Sequence, residues 1–393
     1  MPPDALSRPE TLAVHADADV EHMADIAPPI HMTSTFAAAS AAEFAEMATV
    51  PRHPRYYTRD GNPSHQRVEV VIAALEGGEG ATVTASGMGA ISTTMLSLVS
   101  SGDHVVAQRN HYMGSSKLLG ELLPRLGVDV TLVDQTDVAA FAGALTDRTA
   151  VVLVETPSNP TCQLTDLAAV ATLARARNIT TVCDNTFASP INQRPLSLGI
   201  DIVVHSGTKY LGGHHDLLAG AIVTTNERLD RIWHTSQVLG SVLGPLDAWL
   251  LLRGIRTLPL RVRQHNESGC AVAAWMEGQP RVSAVHYPGL PSHPQHELAR
   301  RQMTGFGGTF SFQIDGGYAE TERFMAGLRM TRQAVSLGGY ETLAVHAAAM
   351  WNGFLSDDQV RAAGVEPNMV RISVGLEAVQ DIIADLDGAL RAL

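Results

Sequence analysis

The sequence predicts an α/β protein: a mostly parallel sheet with helices on both faces, followed by a smaller α+β C-terminal domain. Two observations carry this. Short apolar, β-branched runs alternate with helically spaced segments from about residue 80, and strands apolar on both faces are those of a parallel sheet covered on both sides. That alternation stops near Thr225, and the turn-rich segment Tyr287-Pro-Gly-Leu-Pro-Ser-His-Pro294 opens a region of different pattern. A chain of 393 residues has room for two domains, or three.

In chain order, residues 1–60 are rich in proline, histidine and threonine and have weak periodicity, so they read as an extended arm. The alanine-rich patch Ala37–Ala42 begins a helix. Strand runs follow at Ala81–Thr84, His104–Ala107, Val128–Val133, Ala150–Glu155, Ile179–Cys183, Asp201–His205 and Gly220–Thr224. Helical spacing separates most of them, at Met88–Leu98, Ser115–Leu123 and Asp166–Arg177. Leu246–Glu277, rich in leucine, arginine and alanine, is a helical connector. Beyond it, Thr309–Ile314 and Met369–Val374 read as strands, Tyr318–Gly327 and Leu376–Leu393 as helices. The expected division is 1–60 arm, 61–250 α/β domain, 251–393 connector and C-terminal domain.

Composition excludes several function classes. Acidic residues outnumber basic ones 40 to 28, a formal charge of −12, which opposes sequence-independent nucleic-acid binding. No apolar run is long enough for a membrane span, and residues 1–10 have neither a basic nor an apolar leader region. Cys162, Cys183 and Cys270 are far apart without CxxC spacing, which fits a reducing cytoplasm. The basic residues comprise 26 arginines and only two lysines, Lys117 and Lys209. Chemistry that needs a lysine amine has two candidates, and Lys117 falls on the solvent face of a helix.

Ligands of open parallel sheets sit beyond the carboxyl ends of the strands. After the first run comes Ala85-Ser86-Gly87-Met88-Gly89, opening a helix. It is either a tight turn with a serine cap or an anion site built from free N–H groups. After the sixth run comes Ser206-Gly207-Thr208-Lys209, two hydroxyls and a lysine together. A partly desolvated lysine beside other cations can attack a carbonyl. After the fifth comes Asp184, a carboxylate open to the roles of helix cap, metal ligand or counter-ion. No His/Asp/Glu cluster with ligand spacing accompanies it, so no metal is expected; His214-His215 and His293…His296 read as polar loop histidines. Lysine, phosphate cradle and carboxylate together point to pyridoxal 5′-phosphate (PLP), whose aldehyde bonds an amine and whose ring nitrogen an acid keeps protonated.

At these residues the chain resembles the Cys/Met-metabolism PLP enzymes, the family of cystathionine γ-synthase, cystathionine γ-lyase and methionine γ-lyase. Asp201-Ile-Val-Val-His-Ser-Gly-Thr-Lys209-Tyr-Leu-Gly-Gly-His214 is similar to the family's PLP-lysine signature. Also matching in order are Pro28-Pro-Ile30, Thr33-Ser-Thr-Phe36, Tyr57-Thr-Arg-Asp-Gly-Asn-Pro63, Leu75-Glu-Gly-Gly78 and Ser86-Gly-Met88. So do Glu155-Thr-Pro-Ser-Asn-Pro160, Asp184-Asn-Thr-Phe187, Tyr287–Pro294, Ser336-Leu-Gly-Gly339 and Val370-Arg-Ile-Ser-Val-Gly-Leu-Glu377.

The resemblance implies a type I PLP-dependent transferase fold and a homotetramer of two active dimers. It implies that Lys209 carries the cofactor as an imine and then moves protons, and that Asp184 pairs with the ring nitrogen. Gly87 and Met88 (backbone N–H), Ser86, Ser206 and Thr208 would hold the phosphate. Tyr57 and Arg59 would reach it from the neighbouring subunit. Tyr112 would stack on the ring and assist proton transfer. Arg371 would bind the substrate α-carboxylate, with Asn159 and Ser336 nearby. By themselves, Arg371 reads as a surface arginine and Tyr112 as a core or interface aromatic.

The implied chemistry is loss of a leaving group from Cγ, by elimination or replacement. Val335 stands where cystathionine-using members often carry glutamate, which favours a shorter or apolar γ-substituent and hence elimination. Gly114 stands where methionine γ-lyases carry cysteine, which argues the other way. Met113 and the stretch Met350-Trp-Asn-Gly-Phe354 depart from the family pattern and point to a reshaped pocket for a specialised γ-substituted amino acid. The alternatives are γ-replacement on an activated homoserine ester, a cystathionine γ- or β-lyase, and a non-enzymatic protein of the same fold.

Overall fold

The computed structural model describes residues 8–20, 25–352 and 364–393. The seven apolar runs form β1 (Gly80–Thr84), β2 (His104–Gln108), β3 (Asp129–Val133), β4 (Thr149–Glu155), β5 (Thr180–Asp184), β6 (Ile202–Ser206) and β7 (Gly220–Thr224). They make one sheet in the order β1-β7-β6-β5-β4-β2-β3. It is parallel from β3 through β6, while β7 runs antiparallel to both β6 and β1. Successive residues point to opposite faces, and both faces are buried except on the edge strand β3, where Asp129, Thr131 and Leu132 are exposed. Val105, Val151 and Leu153 join the core with Ile91 and Met95, whereas Val106, Val152 and Val154 join Phe141 and Val170 on the other side. That double burial is why the strands read as unbroken apolar runs.

A second sheet is built from β8 (Val282–His286), β9 (Thr309–Ile314), β10 (Arg332–Gln333), β11 (Leu343–His346) and β12 (Met369–Ser373), in the order β10-β11-β12-β9-β8. It is antiparallel except for the β10–β11 pair. The helices Tyr318–Gly327 and Val379–Arg391 cover it. One apolar cluster runs through both halves of the chain, joining Val203 and Tyr210 to Phe310, Phe312 and Ile372.

Several elements differ from expectation. The expected arm opens with the helix Pro9–His15, which buries Ala13 in that core, and Arg256 grips Asp17 through two contacts of 2.8 Å. The unforeseen helix Pro63–Glu76 carries its own signals: Asn62 caps it, Pro63 starts it and Gly77 ends it left-handed at φ 77°. The connector is two helices, Pro245–Arg256 and Leu258–Glu277, broken at Thr257. The helix expected over 115–123 contains a π turn at Leu118–Leu122, just before Pro124, which lacks the N–H to continue an α ladder. Strands β10 and β11, of 2 and 4 residues, are too short to have shown a period. Among the described residues no helix is long and apolar enough to cross a membrane.

Candidate active site

The carboxyl ends of β4, β5 and β6 bring Glu155, Asp184 and Ser206 side by side, with Glu155 opposite Asp184 in the strand register. Asp184 is buried. Its Oδ1 accepts from the Thr186 N–H at 3.0 Å and from the Thr186 hydroxyl, while Oδ2 has no hydrogen bond among the described residues. Thr186 Oγ1 also accepts the Ser206 N–H at 2.8 Å, so one hydroxyl ties the acid to the next strand. Burial pushes the Asp184 carboxyl up to about 6, and the neighbouring Glu155 adds to this; the Thr186 hydrogen bonds and His205 oppose it. An acid raised in this way is one that a cation placed against its open oxygen would return to the ionised state.

Beside it lies the opening of the helix Gly87–Leu98. Ser86 Oγ caps this helix, accepting the Gly89 N–H at 3.0 Å, which is the serine-cap alternative read from the sequence. The N–H groups of Gly87 and Met88 lie in the first turn, where no intrahelical acceptor exists. Ser206 packs so closely that a Cβ on Gly87 would stand 2.7 Å from Ser206 Cβ. The Thr208 hydroxyl contacts Ala219 alone among the described residues, accepting its N–H at 3.1 Å.

Lys209 follows in a tight turn held from below. Arg261 donates to the carbonyls of Tyr210 and Gly254 at 2.8 and 2.7 Å, and the Tyr210 hydroxyl meets Thr309 Oγ1 and the Gly308 N–H at 3.1 Å each. The anchored turn presents Lys209 Nζ to Ser336 Oγ at 3.0 Å. Burial first, and then the Arg371 guanidinium, lower the lysine to about 8 from 10.5. An appreciable neutral fraction near neutral pH makes such an amine a usable nucleophile and base.

Arg371, on β12, is buried and not a surface residue. It donates to Asn159 Oδ1 at 3.1 Å and to the Ser336 carbonyl at 2.9 Å. Its Nε has no partner, and among the described residues no carboxylate pairs with it. Burial lowers this guanidinium to about 10. A buried guanidinium that lacks an anion is a receptor for one. Ser336, in left-handed backbone at φ 93°, bridges Lys209 through its hydroxyl and Arg371 through its carbonyl. Val335 is 66% exposed on a cleft that Thr208 and Ser336 also line.

Tyr112 is 45% exposed, not a core aromatic, and its backbone N–H donates to Glu155 Oε2 at 2.7 Å. A Cβ on Gly114 would lie 2.5 Å from Met88 Sδ and 2.9 Å from the Tyr112 ring, so a cysteine there requires the Met88 thioether to move. Met113, a departure from the family pattern, packs against Ala347, Val365 and Met369, as does Met350 at the head of the second departing stretch. Gly353 and Phe354 lie outside the described residues. Tyr57 and Arg59 are not joined to the rest of the site: the Arg59 guanidinium stacks on the Tyr57 ring at 5.1 Å, both near the surface. Lys117 is exposed at the end of the helix Met113–Lys117.

The sequence reading missed Glu155, Thr186 and Arg261 as groups that place others. Glu155 and Thr186 stood inside quoted motifs, but nothing local to Arg261 marked it. The donors present fit PLP: a lowered lysine amine, an acid with one open oxygen, and a helix opening without a Cβ.

Comparison with known proteins agrees. The model of the Cys/Met metabolism PLP-dependent enzyme family matches residues 10–391. The chain is 41% identical over 386 residues to an L-methionine gamma-lyase of Fusobacterium nucleatum subsp. polymorphum, covering 98% of each. It is 40% identical over 387 residues to a cystathionine gamma-synthase of Mycobacterium bovis, covering 98% of this chain and 97% of that one. The crystal structure of MetB from Corynebacterium glutamicum superposes with a TM-score of 0.93 at 35% identity, covering 100% of this chain and 99% of that one.

Proposed function

The chain belongs to the Cys/Met metabolism PLP-dependent enzyme family, and from that premise we propose that it eliminates the γ-substituent of a γ-substituted L-amino acid. One observation carries the reading: Ser336 joins an amine of lowered basicity to a buried guanidinium without an anion.

PLP, when bound, supplies the electron sink that makes Cα and Cβ acidic. Lys209 would hold it covalently and would move protons at Cα and Cβ. Arg371, oriented by Asn159 and Ser336, binds the α-carboxylate in a site that excludes water. Asp184 keeps a proton on the ring nitrogen through its open Oδ2. Gly87, Met88, Ser206 and Thr208 hold the phosphate, with Tyr57 and Arg59 arriving from a second subunit of a homotetramer. Tyr112 stacks on the ring and relays a proton. The protein works in the cytoplasm on a small amino acid. The division into arm 1–60, cofactor domain 61–250 and C-terminal domain 251–393 belongs to this reading, supported by one sheet drawn from 80–224 and the other from 282–373.

Elimination is favoured by the likeness to methionine gamma-lyase and by Val335, whose own side chain gives a distal ammonium no partner, on a cleft that Asp216, Asp247 and Glu341 also line. Gly114 and the likeness to cystathionine gamma-synthase favour replacement as the second reading. The test is release of 2-oxobutyrate and ammonia from L-methionine and from O-acylhomoserine, with and without added thiol. Oxoacid release from methionine that persists with thiol supports elimination; suppression of oxoacid by thiol, with a new thioether formed, supports replacement.

A further inference from the structure

Tyr112 presents a difficulty that its own packing does not resolve. The residue is 45% exposed, so packing of the side chain only partly sets its direction. It precedes a helix of five residues, and no side chain caps that helix. Its orientation therefore depends on its backbone as well, which is held at the carbonyl by the Ser116 N–H at 3.0 Å and at the N–H by Glu155 Oε2, which accepts it at 2.7 Å.

Glu155 is itself immobilised. Its side chain is buried, its N–H donates to Gln108 Oε1 at 2.8 Å, and its carbonyl accepts from Gln108 Nε2 at 2.7 Å. Gln108 ends β2 and Glu155 ends β4, so two adjacent strands fix the backbone that carries the carboxylate. The same Oε2 faces the buried His111 Nδ1 at 3.7 Å, one residue before Tyr112. A short bond from a rigid strand end to a loop residue transmits the sheet's position to that loop.

We propose that Glu155 is a positioning residue: it aims the Tyr112 ring over the cofactor site through this one backbone hydrogen bond. The inference rests on the role given to Tyr112 above. A misplacement of about 1 Å near a reacting centre costs on the order of 100-fold in rate, so the bond is worth testing by reach and not by charge.

Three variants separate the possibilities. Glu155→Asp keeps the charge but withdraws the oxygen by one methylene. Glu155→Gln loses the charge but keeps an oxygen at the same reach. Tyr112→Ala removes the side chain through which Glu155 would act. Glu155→Asp is expected to lower kcat about 10- to 100-fold with KM within a few-fold, and to weaken the visible circular dichroism of bound PLP. Glu155→Gln is expected to hold kcat within about threefold. In the Tyr112→Ala background, Glu155→Asp is expected to cost little more, the non-additivity of groups acting as one. Should Gln fall while Asp holds, or should Asp cost its full factor without Tyr112, the inference is wrong while Tyr112 keeps its role. If Tyr112→Ala alone leaves the rate unchanged, the role given to Tyr112 is wrong. An unchanged dichroism in Glu155→Asp then overturns the positioning as well. If Glu155→Asp does not fold, Glu155→Ala in both backgrounds decides: a loss of rate and dichroism that disappears beside Tyr112→Ala supports the proposal, and an equal loss in both backgrounds, or none in either, contradicts it.

Discussion

The Lys209–Arg371 pair and the Tyr57–Arg59 pair sit in opposite surroundings. The first is enclosed: Arg261 and Tyr210 fix the turn from below, Ser336 joins the two cations, and Asn159 holds the guanidinium. The second pair lies in an irregular stretch, stacked on itself, with Tyr57 40% exposed. The difference teaches that one chain by itself buries an amine beside a guanidinium, where desolvation shifts their chemistry. The stretch around Tyr57 and Arg59 keeps its charge in water. Arginine loses little by exposure because its charge persists there.

Predictions that break or sharpen this contrast begin on the enclosed side. Lys209→Ala is expected to lower kcat by at least about 1,000-fold and to abolish the yellow band and its borohydride-reducible bond; a retained reducible bond would move the assignment to Lys117. Arg371→Lys keeps the charge but loses the fork. It is expected to raise KM for the amino acid about 100-fold while cofactor content is unchanged, measured by steady-state kinetics and absorbance.

The third prediction concerns pH. An amine lowered to about 8 sheds its proton well before one at 10.5. Because the neutral amine is the reactive form, PLP uptake by cofactor-free protein should rise about 50-fold from pH 6 to pH 8 and then level off. A rate still climbing tenfold per unit beyond pH 9 would show a lysine that burial has not altered. The smallest effect is on the exposed side: Arg59→Ala is expected to weaken PLP binding about 10-fold. At a PLP level that leaves Arg59→Ala subunits largely empty, mixing them with Lys209→Ala subunits should restore up to about a quarter of wild-type activity, since one site in each mixed pair is intact. No recovery on mixing, with exchange verified, would place Arg59 in its own subunit's site or outside any site.

Legibility in the sequence followed the same division. Strand runs were visible because burial on both faces leaves continuous apolar residues, as in Thr149–Glu155. Lys209 stood out because lysine is nearly absent from the chain. Arg371 by itself looked like a surface cation, since a strand pattern records which side a residue faces and not what encloses it. The helix Pro63–Glu76 was missed although its cap and stop were present. Glu155 and Arg261 lay beyond reach for another reason: their acceptors and donors come from residues 43 and 51 positions away, at Tyr112 and Tyr210.

By itself the sequence determined the alternation of strands and helices and the cofactor that its motifs imply, because periodicity and residue chemistry are local properties. Only the tertiary structure decided that Ser336 joins Lys209 to Arg371, that the guanidinium is buried without an anion, and that Glu155 holds Tyr112. These depend on dehydration and on hydrogen bonds between distant segments, and both exist only once two sheets close on one core.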